Sequence, residues 1–363
     1  MAKIISIGTA VPAHQHRQED ILQFMERAYG IDERERRVLR YLYRHSGIDT
    51  RYSVIADYTQ SMDDWTFFPK TEDLEPFPAL EKRMELFRAC APALSVEAGT
   101  RCLDGVLEKQ ELTHLITVSC TGLSAPGLEM LVMEQMGLSP AINRSAVNFM
   151  GCYAAVHALK QAADIVAAHP EAKVLVICTE LCTLHFQKTY SEETVTAPLL
   201  FADGAAAALV TGDDAPQRGI KLDSFYAEVM WNAKEAMTWN PGAYGFNMTL
   251  SAEVPDLIAE DLQPLYDRAL EKAGHTRGDI RYWCIHPGGV RILQAVRTCL
   301  QLEEEDLASS YKVLREYGNM SSATLLFVLK EMWPALMEHK AAPVFAAAFG
   351  PGLAMESIMM SVT

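Results

Sequence analysis

Cys152, His286 and Asn319 are three residues of this chain whose types and settings could do chemistry together. Cys152 stands in Ser145-Ala-Val-Asn-Phe-Met-Gly-Cys-Tyr-Ala-Ala155. An apolar, strand-like run from Ala146 to Phe149 reaches a glycine, and an Ala-rich segment of helical composition follows to Ala168. That order puts the thiol at the start of a helix. Unpaired N–H groups and the macrodipole favour an anion there, and the thiolate is the nucleophilic form of cysteine. Gly151 lets the chain turn sharply and is expected to leave room for a substrate carbonyl beside Cys152. Taken alone, Cys152 reads equally well as a small buried hydrophobe.

Cysteine catalysis needs a basic partner and a third polar group to orient or share the charge. His286 closes the run Arg281-Tyr-Trp-Cys-Ile-His-Pro-Gly-Gly289. It follows a strand-like segment, and Pro-Gly-Gly after it leaves little bulk in front of an imidazole facing a cleft. Asn319 lies in Glu316-Tyr-Gly-Asn-Met-Ser-Ser-Ala-Thr324, just ahead of a helix. Its amide is either a helix N-cap or a donor to an oxyanion.

The elements that must position these groups alternate. Strands are expected at Ile4–Gly8, His114–Ser119, Lys173–Thr179, Ile220–Glu228, Gly245–Leu250, Val344–Phe349 and Ala354–Met360. Helices are expected at Arg17–Tyr29, Arg34–His45, Ala79–Lys109 with a kink at Pro92, Gly127–Met136, Val254–Ala273, Val290–Leu302, Glu305–Tyr317 and Ser322–Met337. Ser53–Pro78 reads as a long surface loop packed by its own aromatics, and Glu180–Thr196 as a polar stretch. This is an α/β layered chain. Asp213-Asp-Ala-Pro216 suggests a boundary, with residues 1–213 carrying the cysteine and residues 214–363 carrying the histidine and the asparagine. The second helix holds Arg34, Arg36, Arg37, Arg40 and Arg44, with Arg51 beyond. These form a solvated face or a landing surface for phosphates.

The 363 residues are 49% hydrophobic and 22% charged, enough apolar material for a large core. A net charge of -15 argues against general affinity for nucleic acid or an anionic membrane. The eight cysteines are dispersed without a CxxC pair, which argues against a metal site and for a reduced, cytoplasmic setting. No apolar run is long enough to span a membrane.

Gly151-Cys152-Tyr-Ala-Ala, His286-Pro-Gly-Gly289, Tyr317-Gly-Asn-Met-Ser-Ser-Ala323 and Phe349-Gly-Pro-Gly352 together resemble the type III polyketide synthases, the chalcone-synthase-like enzymes, in their bacterial form. The resemblance runs over nearly the whole chain. It implies an α/β, thiolase-like αβαβα fold of two pseudo-duplicated halves, a homodimer, and a Cys152–His286–Asn319 triad. It places Phe201 and Met248 at gatekeeper positions. Cys120, Trp239 and Ser321 fall at cavity positions, with Trp239 where chalcone synthases have glycine, so that the cavity narrows or is rerouted. Phe349, Gly350 and Gly352 are expected to bind substrate, with the backbone around Gly350 and Gly352 holding the second oxyanion. Arg40, Arg44 and Arg291 are the substitutes for the basic residues that hold coenzyme A phosphates. The implied activity is iterative decarboxylative condensation of malonyl-CoA onto an acyl-CoA starter, ending in a resorcinol-, pyrone- or naphthalene-type product. Coenzyme A acts as carrier, and no metal or bound cofactor is expected. Cys152 and His286 are expected to rest as a thiolate–imidazolium pair. A ketoacyl-ACP synthase and a non-catalytic acyl-binding protein are the competing readings.

Overall fold

The computed structural model describes residues 1–191, 194–339 and 341–363; residues 192 and 193 of the polar stretch thus lie outside it. The first half comprises β1 (Ala2–Ala10), β2 (His14–Arg17), α1 (Gln18–Tyr29), α2 (Glu33–Arg44), β3 (Thr50–Ser53), α3 (Leu80–Leu103), β4 (His114–Ser119), α4 (Leu128–Met136), β5 (Asn143–Asn148), α5 (Ala154–Ala168), β6 (Val174–Leu181), α6 (Thr196–Leu200) and β7 (Asp203–Gly212). The second comprises β8 (Ile220–Val229), β9 (Met237–Gly242), β10 (Gly245–Leu250), α7 (Val254–Ala273), β11 (Tyr282–Ile285), α8 (Val290–Leu300), α9 (Ala308–Tyr317), α10 (Thr324–Glu338), β12 (Pro343–Gly350) and β13 (Ala354–Val362).

Nine strands form one sheet in the order β11-β12-β13-β8-β1-β7-β6-β4-β5. Its two ends repeat one pattern. β4 runs parallel to β6, β6 antiparallel to β7, and β7 antiparallel to β1. Likewise β11 runs parallel to β12, β12 antiparallel to β13, and β13 antiparallel to β8. The halves join through a short antiparallel contact, Lys3 with Lys221 and Ile4 with Ile220.

Side-chain alternation shows how the layers stack. Along β6, Val174, Val176 and Cys178 enter one apolar core and Leu175 and Ile177 the other. Along β12, Val344 and Ala346 face the first core, and Phe345, Ala347 and Phe349 the second. Strands buried on both faces need such continuous apolar runs. The first core holds α5 and α10, which touch strands of both halves and so form the central layer. The small residues Ala154, Ala155, Ala158 and Ala162 of α5 and Ala206 and Ala208 of β7 are fully buried there and let helix and sheet approach closely. α3 covers the outer face of the first half and α7 that of the second.

Three local expectations change. The aromatics of 53–78 do not lie in a surface loop: Trp65, Phe67, Phe68 and Phe77 are buried and pack with Phe24 and Phe186. The hairpin β9–β10 uses Met237–Gly242, which had no strand signal because Asn240-Pro-Gly242 reads as a turn. Arg51 is not part of a basic surface. It is 3% exposed, and its Nη1 donates to the carbonyls of Pro198 at 2.7 Å and Phe201 at 2.6 Å.

Candidate active site

Functional side chains collect where strands end. Cys120 follows β4, Cys182 follows β6 and His286 follows β11, while Cys152 lies between β5 and α5. The carboxyl ends of parallel strands are where α/β folds place ligands.

The turn carrying Cys152 is tightly built. Phe149 and Gly151 both take the left-handed conformation, with φ of 58° and 81°. A Cβ on Gly151 would lie 2.2 Å from Cδ of Pro351, so any larger residue would clash with the 349–352 loop. The space beside Gly151 is therefore filled by Pro351, not left to substrate. Gly350 is bare for a similar reason: a Cβ would stand 2.7 Å from the Tyr153 ring and 3.2 Å from the Cys152 nitrogen. Tyr153 donates its hydroxyl to the Pro351 carbonyl at 3.1 Å. Phe349, 2% exposed, anchors this loop in the outer core.

Asn319 connects the other two groups. Its Oδ1 accepts from the Ser321 N–H at 2.8 Å and from the Thr324 hydroxyl at 3.4 Å, which is the capping role. Its Nδ2 donates to the Gly288 carbonyl at 3.2 Å, in the loop that bears His286. The same amide and the Ser321 hydroxyl both lie within hydrogen-bonding reach of the Cys152 sulfur. Ser321 holds φ of 48°, a strained value for a residue with a side chain. The backbone binds this segment to the one ahead of β7: Asn319 N donates to Leu200 O at 2.9 Å, and Ala202 N to Asn319 O at 2.8 Å. Arg51 holds that same segment from behind.

His286 is 1% exposed, so it lies in the interior rather than in an open cleft. Neither ring nitrogen has a hydrogen-bond partner among the described residues. Burial drives its pKa down to about 3. Burial likewise pushes the Cys152 thiol up to about 12, opposed by the hydrogen bonds from Ser321 and Asn319. Desolvation thus favours a neutral thiol and a neutral imidazole over the expected thiolate–imidazolium resting pair. Iodoacetamide should then alkylate Cys152 slowly at pH 7. Its rate should climb about tenfold per pH unit up to pH 9; a rate already flat from pH 6 would mean a preformed ion pair.

Sequence reasoning passed over Glu180 and His185. Glu180 is fully buried beneath the site. It accepts from Cys120 N and the Thr121 hydroxyl at 2.9 Å each and from the Ser322 hydroxyl at 2.5 Å. Burial nevertheless raises its pKa to about 7. His185 donates Nε2–H to Thr121 O at 2.7 Å and accepts from Phe246 N–H at 2.9 Å, which fixes one neutral tautomer. Burial holds its pKa near 3. Both residues fall in the stretch read from sequence as polar, Glu180–Thr196, although Glu180 belongs to β6, and nothing in their local sequence sets them apart.

A cavity of about 310 Å³ adjoins the cysteine, lined by Phe201, Met248, Trp239, Cys182, His185 and Arg51 among others. Cys152, Cys182 and Phe201 form one apolar cluster with Met248 packed against it. Trp239 pairs with Met248 across the β9–β10 hairpin and donates its indole N–H to Cys120 O at 2.7 Å. It stands edge-on to His185 and Phe246, with ring centres 5.4 and 5.7 Å apart. Cys120 itself is turned away, accepting from Gly151 N–H at 3.0 Å. Arg40, Arg44 and Arg291 do not line this cavity. Arg40 is bound by Glu26 at 2.5 and 3.1 Å, and with Arg44 it borders a separate groove between α1 and α2. Arg291 donates to Ala252 O at 3.1 Å. Among the described residues no cluster suited to a metal ion occurs, and no helix is long and apolar enough to cross a membrane.

The duplicated, layered fold is thiolase-like, the architecture of an acyl-transferring, condensing enzyme, and it gathers a thiol, an imidazole and a carboxamide in its interior. Comparison with known proteins narrows the class. Residues 1–214 match the chalcone and stilbene synthases, N-terminal domain, and residues 221–363 match the C-terminal domain. The alpha-pyrone synthesis polyketide synthase-like Pks18 of Mycobacterium tuberculosis is 33% identical over 289 residues, covering 78% of this chain and 74% of that protein. A putative chalcone synthase of Bacillus subtilis is 29% identical over 99% of both chains. The crystal structure of PKS-I from the brown alga Ectocarpus siliculosus superposes with a TM-score of 0.93 at 29% identity, covering 100% of this chain and 98% of that one. The chain belongs to the type III polyketide synthases, the chalcone and stilbene synthase family.

Proposed function

We propose that this enzyme extends an acyl starter by decarboxylative condensation of malonyl-CoA and cyclises the resulting polyketide. His286 supports the reading most. Two buried, unpartnered ring nitrogens are costly in a protein interior, and a thioester carbonyl oxygen between His286 and Asn319 would satisfy one of them. Cys152 loses its proton to His286 as the sulfur attacks the starter carbonyl, and the carrier thiol departs, leaving the acyl group as a Cys152 thioester. Malonyl-CoA then places its thioester oxygen toward His286 and the second N–H of Asn319. The bond to the carboxylate breaks, CO2 leaves, and its electron pair becomes an enolate whose oxygen those donors hold. Phe201 and Met248 keep water from the carboxylate. The enolate carbon attacks the acyl thioester, Cys152 leaves as thiolate, and the chain, longer by two carbons, returns to Cys152 for the next round. Coenzyme A is the carrier and no metal is needed.

Arg44 and Arg291 are the cations this reading leaves for the coenzyme A phosphates. The enzyme works as a homodimer. β5 is an edge strand with exposed Asn143, Arg144 and Asn148, and Met130 on the adjoining α4 is an exposed apolar residue, a surface suited to a second copy.

The test is turnover with malonyl-CoA and a panel of acyl-CoA starters, followed by mass spectrometry. Release of CO2 and products spaced by two-carbon units supports the reading. Intact malonyl-CoA with every starter, or condensation only when both substrates are carrier-protein thioesters, contradicts it. Trp239 sets the size of the product. Trp239→Ala removes the wall held by Cys120 O and should shift products toward longer chains, with malonyl-CoA decarboxylation within about twofold of wild type. An unchanged product profile would remove Trp239 from the cavity's control.

A further inference from the structure

Phe201 stands at the end of a helix too short to hold itself. α6 is a single turn of five residues, Thr196–Leu200, and a turn of that length has little stability of its own. Its last carbonyls have no partner within the helix. Four in succession are held from elsewhere in the chain. Pro198 O accepts from Arg51 Nη1 at 2.7 Å, Leu199 O from Gln18 Nε2 at 2.9 Å, Leu200 O from Asn319 N at 2.9 Å and Phe201 O from Arg51 Nη1 at 2.6 Å. The donors come from β3, α1 and the loop ahead of α10. Tertiary contacts therefore set the place of Phe201.

Of these donors, Gln18 has the least local reason to be polar. It is the first residue of α1, 5% exposed, on the same face as the buried apolar Ile21 and Leu22. Its Nε2 also donates to Ser46 Oγ at 3.3 Å, just past α2, and its Oε1 finds no partner among the described residues. A buried amide with an empty acceptor carries a desolvation cost that a methionine of similar length would not. What the amide supplies is the contact to Leu199 O. The Asn319 side chain has separate anchors, at Ser321 N, the Thr324 hydroxyl and Gly288 O. A slack α6 would thus move Phe201 and leave the Asn319 amide in place.

We propose that Gln18 is a positioning residue for the condensation: by fixing Leu199 it holds the Phe201 ring where it keeps water from the enolate. This rests on the condensing function above and names what keeps loss of CO2 coupled to formation of a carbon–carbon bond. In the coupled reaction the enolate carbon attacks the Cys152 thioester. With α6 loosened, water reaches that carbon first. The electron pair left by CO2 then forms a bond to a proton of the water, acetyl-CoA departs without extension, and hydroxide is left to the solvent. His286 and Asn319 still hold the enolate oxygen, so release of CO2 persists while chain growth falls.

The experiment turns over malonyl-CoA and hexanoyl-CoA with wild type, Gln18→Met and Gln18→Glu, and counts acetyl-CoA and extended products by mass spectrometry. Methionine keeps the length and removes the donor. Glutamate keeps length and polarity and sets an acceptor against Leu199 O. The expected result in both is a rise of about fivefold or more in acetyl-CoA formed per carbon–carbon bond, with total CO2 release within about twofold of wild type. The Tm of Gln18→Met should stay within about 3 °C of wild type. Either variant decides the matter if the other does not fold. A merely structural residue would lower CO2 release, extension and Tm together and leave the ratio of acetyl-CoA to bonds unchanged. That outcome overturns the proposal, as does a wild-type ratio at undiminished activity. A wild type that releases no CO2 from malonyl-CoA with hexanoyl-CoA or any other starter would instead sink the condensing function itself.

Discussion

Cys152→Ala will make no extended product from any starter while still releasing CO2 from malonyl-CoA. The two halves of the reaction use different atoms. Chain growth needs a sulfur to carry the acyl group as a thioester. Decarboxylation needs only donors at the enolate oxygen, and these belong to His286 and Asn319. The substitution removes one buried sulfur from a turn whose shape depends on Phe149, Gly151 and Pro351 rather than on the thiol. The fold should survive, with a Tm close to wild type. Product counted by mass spectrometry should fall below detection, and CO2 release should stay within about tenfold. Extension at a wild-type rate would move the nucleophile elsewhere, and Cys182, in the same apolar cluster, would be the next residue to test.

Asn319→Ala and Asn319→Asp should both lose decarboxylation, by about 10²–10³ in kcat, the cost of one oxyanion donor. The pair separates chemistry from capping. Alanine also removes the acceptor of the Ser321 N–H and the Thr324 hydroxyl and should cost about 1 kcal/mol of stability. Aspartate keeps both acceptor contacts and deletes only the N–H donors. Both variants lose the Nδ2 contact to Gly288 O and some Tm with it, but loss of decarboxylation in aspartate, where the cap is kept, assigns the amide nitrogen to the enolate. An aspartate variant that decarboxylates normally would return Asn319 to the capping role.

Much of this site was legible because the chemistry sits at element junctions, where sequence carries strong punctuation. Gly151, Pro287-Gly-Gly289 and Gly318 each mark a turn, and each is followed within a few residues by a helix. Alternating apolar runs made β6 and β12 readable, and their burial on both faces follows from continuous hydrophobicity. What could not be read depends on distance in the chain. Arg51 looks like one more arginine after a basic helix; only the fold brings it to the carbonyls of Pro198 and Phe201. Glu180 looks like a surface carboxylate until Cys120, Thr121 and Ser322 close over it. Gly151 was correctly read as a turn, but its neighbour Pro351 is two hundred residues away in the chain. The ionisation of Cys152 and His286 turns on a related matter. A helix terminus argues for an anion, whereas the depth of burial, invisible in sequence, argues more strongly for neutral groups.

The most direct measurement is mass spectrometry of the enzyme quenched during turnover with an acyl-CoA starter, followed by peptide mapping. An acyl group should sit in thioester linkage on the peptide containing Cys152, and it should disappear on chase with malonyl-CoA as product forms. Acylation of a peptide carrying Cys120 or Cys182 instead, or product formation with every cysteine unmodified, would contradict the mechanism at its first step.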